Sequence, residues 1–173
     1  SVHTQATACK TNELDQGTGS GAVQLTNGIE LGSIEWRKDG TFIANTPAVG
    51  GLDMGIYQVH VISSLGCETI HDVEIKTDIH TFNGISRNGD GQNDYFHINC
   101  IENFPYNIVK IYNRAGTLVY ENKGYNNFDV FFEGTANRGI QVMGNNLPDG
   151  TYFYIIDKND GSKPVAGYLE IVN

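Results

Sequence analysis

The stretch Asn88-Gly89-Asp90-Gly91-Gln92-Asn93-Asp94 is the part of this chain whose side chains could do coordination chemistry. Ca²⁺ takes about 6–8 oxygen ligands from carboxylates, side-chain amides and backbone carbonyls, and glycine lets the backbone wrap the ion. Asn88, Asp90, Gln92 and Asp94 alternate much as the first ligands of an EF-hand loop do. Two features of that loop are missing. Asn93 stands where its glycine belongs, and no Glu follows at the position of its bidentate ligand. The alternative is a loop of Asx turns, in which Asn and Asp oxygens accept hydrogen bonds from nearby backbone N–H groups. On these residues Ca²⁺ is the one cofactor that enters consideration.

Other chemistry is poorly supported. Five His are present, yet no Gly-x-Ser-x-Gly elbow accompanies them, and Ser63, Ser64 and Ser86 lie in turn-like contexts. His60 points outward by the alternation of its strand. A paired-carboxylate glycosidase needs a cleft, which small sandwiches rarely form without long loops. The expectation is a protein without enzymatic activity. Three cysteines stand at 9, 67 and 100, with no CxxC pair to suggest structural zinc. Cys9 and Cys67 flank a single β-rich segment, which predicts a disulfide closing it in an oxidising compartment. Cys100 shares the alternation of Phe96 and Ile98, which predicts a buried and inert thiol. Tyr152-Phe153-Tyr154 and Phe131-Phe132 invite a sugar-binding reading, but strand aromatics more often pack in cores and across strands. Trp36 reads as core in the same way.

The elements that must hold these residues are strands. Gly is abundant at 21 residues, hydrophobic residues make up 39% and charged ones 18%, a mixture suited to short strands joined by tight turns. Gly21–Thr26, Ser33–Lys38, Ile56–Ile62 and Thr69–Lys76 form a first set. A second comprises Ile79–Asn83, Tyr95–Asn99, Asn107–Tyr112, Thr117–Glu121, Phe128–Phe132, Thr151–Asp157 and Val165–Val172. Glycine-rich turns such as Asp53-Met54-Gly55, Arg114-Ala115-Gly116, Pro148-Asp149-Gly150 and Asn159-Asp160-Gly161 punctuate them. Neither set has a helical period. Tyr57 and Phe42 are the only Tyr and Phe before residue 78, whereas the second half is rich in both. That shift predicts two consecutive antiparallel, Ig-like β-sandwich domains, residues 1–76 and 77–173, jointed at the short polar stretch Lys76-Thr77-Asp78.

Net charge −9 argues against a nucleic-acid partner, since phosphate binding requires a cationic surface. No apolar run approaches the ~20 residues that span a bilayer. Ser1-Val2-His3-Thr4 lacks the basic and apolar regions of a signal peptide, so a secreted protein would carry its signal upstream.

The second half carries five blocks in order: Asn88–Asp94, Val109–Gly116, Leu118-Val119-Tyr120-Glu121, Leu147–Tyr154 and Gly167-Tyr168-Leu169-Glu170-Ile171. Together they resemble the gliding motility-associated C-terminal domain of Bacteroidetes surface proteins, the type B sorting domain of the type IX secretion system. Two positions depart from that pattern. Ala115 replaces the usual aromatic after Asn-Arg, which implies a gap in the core, and Phe132-Glu133-Gly134 replaces a Trp-Asp-Gly turn while keeping the acid and the glycine. The first half is similar to a repeat module of large gliding adhesins, through Cys9, Gly21, Trp36, Gly55-Ile56-Tyr57 and Gly66-Cys67.

The resemblance implies a C-terminal export signal on a large cell-surface adhesin, carried through the periplasm to the cell surface or medium, with the first module as a spacer. Its partners would be the type IX machinery and a dedicated outer-membrane protein. Recognition of that kind uses exposed turns or a sheet edge rather than a deep pocket. The candidate contacts are Asn113, Arg114 and Gly116 in one turn, Asp149 and Gly150 in another, and Gly167 and Tyr168 on the final strand, which is either an open edge or the piece that closes the sandwich. The alternative function is an adhesive or carbohydrate-binding surface module, which exposed aromatics clustered on one sheet face would favour.

Overall fold

Alternation and glycine turns build strands throughout, and the computed structural model describes residues 1–10, 15–25, 29–139 and 145–172. The chain divides into two compact units, Ser1–Asp78 and Ile79–Asn173. Among the described residues the only helical element is a 3₁₀ turn. The expected all-β, antiparallel architecture is what forms.

In the first unit, β1 (Val2–Gln5), β2 (Gly19–Val23) and β5 (Ala48–Leu52) form one antiparallel sheet in the order β1-β2-β5. The other sheet runs β4-β3-β6-β7, from β3 (Leu31–Lys38), β4 (Thr41–Ala44), β6 (Gly55–Ser63) and β7 (Glu68–Ile75). The strand expected at Gly21–Thr26 is therefore β2, shifted toward the N-terminus; Thr26 lies outside the described residues. The inward phase of β6 supplies Tyr57, Val59 and Val61 to a core with Ile34, Trp36, Leu52 and Ile75. Trp36 is fully buried, and its indole N–H donates to the Thr46 carbonyl at 3.0 Å. Gly21 lies against that ring, where a Cβ would collide with it.

In the second unit, β9 (Gly84–Ser86), β11 (Ile108–Tyr112), β12 (Leu118–Lys123), β13 (Gly150–Asp157) and β14 (Val165–Val172) form a five-stranded sheet in the order β12-β11-β13-β14-β9. β8 (His80–Thr81) and β10 (Ile98–Asn99) form a separate pair. That pair, the 3₁₀ turn Ile101–Asn103 and the segment carrying Tyr125, Phe132 and Ala136 pack on the inner face of the large sheet in one core. The final strand is not an edge. β14 lies between β13 and β9, antiparallel to the first and parallel to the second.

Phe128–Phe132 is not a strand. The Asn126 carboxamide oxygen accepts the N–H groups of Phe128, Asp129 and Val130, folding the segment into a turn before any ladder can form. Short strands β1, β4, β5 and β9 arise where no local alternation announced them.

The two units share a local device. In each, a tyrosine two residues past a positive-φ glycine (Gly55, φ 137°; Gly150, φ 143°) donates its hydroxyl to a backbone carbonyl four residues upstream. Tyr57 reaches Asp53 at 3.0 Å and Tyr152 reaches Pro148 at 2.9 Å. This is the tyrosine-corner arrangement of Ig-like sandwiches.

The expected Cys9–Cys67 bridge is corrected. Cys67 carries a free, exposed thiol, whereas Cys9 and Cys100 are disulfide-bonded. The reason lies in β7. Thr7, two residues before Cys9, bridges Thr77 just beyond the C-terminal end of β7, while Cys67 immediately precedes its first residue. A strand of 8 residues separates the two ends. That is about 26 Å at roughly 3.3 Å per residue, whereas a disulfide needs Cα atoms within about 7 Å. Cys100 is also not the buried inert thiol expected. It adopts the left-handed conformation (φ 64°), which ends the alternation at Asn99 and leaves it half-buried. Thiol titration of the unreduced chain is therefore expected to find one reactive group, absent from a Cys67→Ser variant, with two more appearing only after reduction. Two accessible thiols before reduction would contradict the assignment of Cys67 as the free cysteine beside two bonded ones.

Candidate functional site

Residues on the outward phase of the central strands of the five-stranded sheet come into register. Tyr112 pairs with Phe153, and Phe153 with Tyr168, so three aromatic residues from β11, β13 and β14 form one row across the sheet. Neighbouring strands are about 4.8 Å apart, which spaces the row at that step. Phe153 is 47% exposed and Tyr168 50%. In the next row Ile155 stands beside Ala166. These side chains floor an open groove of about 670 Å³, with Asn113, Arg114, Gly116 and Gly167 among its walls.

The turn at one end of the groove is built by Asn113. Its carboxamide oxygen accepts the Ala115 N–H at 3.0 Å and the Thr117 N–H at 2.9 Å, and Gly116 adopts φ 78° to close the hairpin. Asn113 is thus occupied in shaping the turn, and Arg114 is the exposed side chain that the turn presents. Ala115 is likewise exposed. The gap expected in the core at this position is instead a second surface depression of about 350 Å³, shared by Arg114, Ala115, Pro148 and Asp149.

Asp149 and Gly150 belong to that second depression, not to the groove. Their turn is fastened by Arg87, a residue that motif reading passed over. Its guanidinium donates to the Leu147 carbonyl at 2.8 Å, to the Gly134 carbonyl at 3.3 Å and toward Asp149 at 3.4 Å. Gly134 (φ 85°) has no room for a side chain beside the Arg87 stem, so the expected glycine there is explained. Tyr152 anchors the same turn from inside, and burial raises its phenol pKa above the ordinary value, with Arg87 opposing and Asp149 adding to the rise.

Gly167 borders the groove, but its lack of a side chain serves the opposite face: a Cβ would fall on the Tyr154 ring. Tyr154 is buried, and its hydroxyl is hydrogen-bonded to Thr81 at 2.9 Å. Of the aromatics expected to pack, Tyr152, Tyr154 and Phe132 are buried, Phe131 packs against the core, and Phe153 is exposed. Both phases of Thr151–Asp157 are apolar, the one signal that could have marked an exposed apolar face.

The Asn88–Asp94 loop stands apart from the groove and is a set of interlocked Asx turns. Asp94 accepts from the Gly89 and Gly91 N–H groups at 2.9 and 2.8 Å. Asn88 accepts from the Asp90 N–H, Asp90 from the Gln92 N–H, and the Asn88 amide donates to Asp90. Among the described residues no group of three or more His, Cys, Asp or Glu is placed to hold a metal.

Compared with known families, residues 79–171 match the one described as the CHU_C Type IX secretion signal domain. A comparison with curated proteins gives no match. Among solved structures, the chain is similar to the Dpr11 IG1 complex with DIP-gamma IG+IG2 (10% identity, TM-score 0.37, covering 99% of this chain and 98% of that one). It is also similar to three N-terminal domains of the highly immunogenic outer capsid protein of bacteriophage RB49 (10% identity, TM-score 0.39, covering 99% and 68%). At these values the fold rests on the strands and cores described above.

Proposed function

The chain belongs to the CHU_C type IX secretion signal domain family, and from that membership we propose that its second unit directs a large, gliding-motility cell-surface adhesin through the type IX machinery. Membership implies interaction with that machinery and export to the cell surface or the extracellular space. The finer reading adds passage through the periplasm of a Bacteroidetes cell, a dedicated outer-membrane partner, and a first unit that acts as an adhesin-repeat spacer. It assigns the chain no catalytic role. The observation that carries it is the family match over residues 79–171. Among the described residues no helix is long and apolar enough to cross a membrane.

The test is export of a reporter fused to the full chain, in a type IX-competent bacterium and in its secretion-deficient mutant. Delivery to the surface or medium that disappears in the mutant is the expected result. A folded fusion retained by both strains would refute the sorting role. A second reading, an adhesive or carbohydrate-binding module, is favoured by the exposed row of Tyr112, Phe153 and Tyr168 on one sheet face.

A further inference from the structure

The chain has 20 acidic and 11 basic residues, yet Arg114 is the sole charged residue lining the aromatic groove. The four arginines are not equivalent. Arg37 pairs with Glu35 at 2.7 Å, Arg138 reaches Glu121 at 3.6 Å, and Arg87 is held by backbone carbonyls. Among the described residues the Arg114 guanidinium has no ion pair or hydrogen bond, and it is exposed at the tip of a turn fastened by two hydrogen bonds to Asn113. A guanidinium is a planar fork shaped for a carboxylate, and Arg and aromatic residues together are the usual anchors of protein interfaces.

We infer that the groove is the docking site for an extended segment of a protein partner, one that lays an aromatic or large aliphatic side chain along Tyr112, Phe153 and Tyr168 and presents a carboxylate to Arg114. The charge argument selects this occupant: the chain carries a net charge of −9, the groove's apolar floor carries the single charge of Arg114, and a carboxylate is the group that complements it there. A glycan fits less well. Sugar hydroxyls need several side-chain donors and acceptors around the aromatic floor, and because the carboxamide oxygen of Asn113 already accepts two backbone N–H groups, the tyrosine hydroxyls are the side-chain acceptors that the lining offers. The inference deepens the sorting reading, since the partner would be a component of the export machinery.

The probe is a displayed library of random peptides selected against the full chain, with Arg114→Glu, Arg114→Lys and Phe153→Ser variants shown by melting curves to be folded. All three substitutions fall on exposed side chains. Enriched peptides are expected to pair Asp or Glu with a nearby aromatic or aliphatic residue. Their binding should weaken about tenfold or more in Arg114→Glu and Phe153→Ser, the loss typical of an interface anchor, and less in Arg114→Lys. Changing the peptide acid to Lys should restore binding to Arg114→Glu. Peptides without an acid, binding indifferent to Arg114→Glu, or capture of a soluble oligosaccharide such as cellohexaose through Phe153 would overturn the inference. The reporter assay separates the two claims. Undiminished export of folded Arg114→Glu and Phe153→Ser fusions would sink the groove and leave the sorting role standing. Failure of the unsubstituted fusion would sink the sorting role, and the peptide selection would still decide the groove.

Discussion

Replacing Asn107 with Ala is expected to destabilise the second unit by about 3–5 kcal/mol, more than any surface change would. Asn107 is fully buried. Its amide nitrogen donates to the carbonyls of Phe104 at 2.7 Å and Tyr125 at 2.9 Å, and its carboxamide oxygen accepts the Tyr125 N–H at 3.0 Å. The side chain does for Tyr125 what a neighbouring strand would, pairing both of its backbone groups. Removal leaves the Tyr125 N–H and C=O without partners, each costing about 1–3 kcal/mol unless water enters the space, while the Phe104 carbonyl keeps the Asn107 backbone N–H at 3.0 Å. Asp at this position should be no better, because a carboxylate would face two carbonyl oxygens. Urea denaturation followed by circular dichroism measures the loss; a change below about 1 kcal/mol would mean that the network relaxes around the gap. Asn127 and Asn137 repeat the device. Asn127 pairs the N–H and C=O of Ile98, and Asn137 pairs those of Glu121 on β12, an edge of the sheet. Covering an edge in this way denies it to other chains.

These asparagines show where reading residues in order stops working. Val165–Val172 and Thr151–Asp157 were legible because runs of β-branched and aromatic residues are bounded by Asp-Gly turns, and the structure differs by one residue at most. Phe128–Phe132 has the same local composition but forms a turn, because the polar side chain of Asn126 supplies the backbone partners. β9 carries no period at all. Three residues starting with Gly become a strand only because β14, more than 80 positions later, pairs with them in parallel. The site divides along the same line. Asn113, Arg114 and Gly116 were recognisable from turn chemistry, which is local. Arg87 was not, since the loop it fastens is about 60 residues away, and Phe153 was not, since both faces of its strand are apolar. In the Asn88–Asp94 loop, oxygen ligands and Asx turns draw on the same residues. Which alternative forms depends on where the backbone N–H groups point.

A Tyr125→Phe variant is expected to lose about 2–4 kcal/mol at neutral pH and to close that gap as the solution is made alkaline. The Tyr125 hydroxyl donates to the Phe96 carbonyl and accepts the Phe132 N–H at 2.9 Å, inside the core at 1% exposure. Phenylalanine keeps the ring and abandons both backbone groups, which sets the loss at about 1–2 kcal/mol for each. Burial also pushes the Tyr125 phenol far above its ordinary value of 10.0, because the phenolate would be formed out of water; the hydrogen bond from Phe132 only partly opposes this. The sign of the pH effect follows. Below pH 10 the phenol is protonated whether the chain is folded or not, so its stabilisation is complete there. Above pH 10 the unfolded chain releases the proton while the folded chain keeps it, so the unfolded state binds fewer protons and stability falls with pH. The slope is about 1.4 kcal/mol per pH unit from this tyrosine alone, until the folded phenol itself titrates. Tyr57, Tyr120 and Tyr152, all raised chiefly by burial, add to the same limb. The Tyr125→Phe chain lacks one of these contributions, so its alkaline limb is shallower and the two stability curves converge above pH 10. Denaturation midpoints of both proteins between pH 7 and 11.5 test this. A constant gap across that range would show that the Tyr125 hydroxyl ionises as readily in the folded core as in the unfolded chain, contrary to its burial between Phe96 and Phe132.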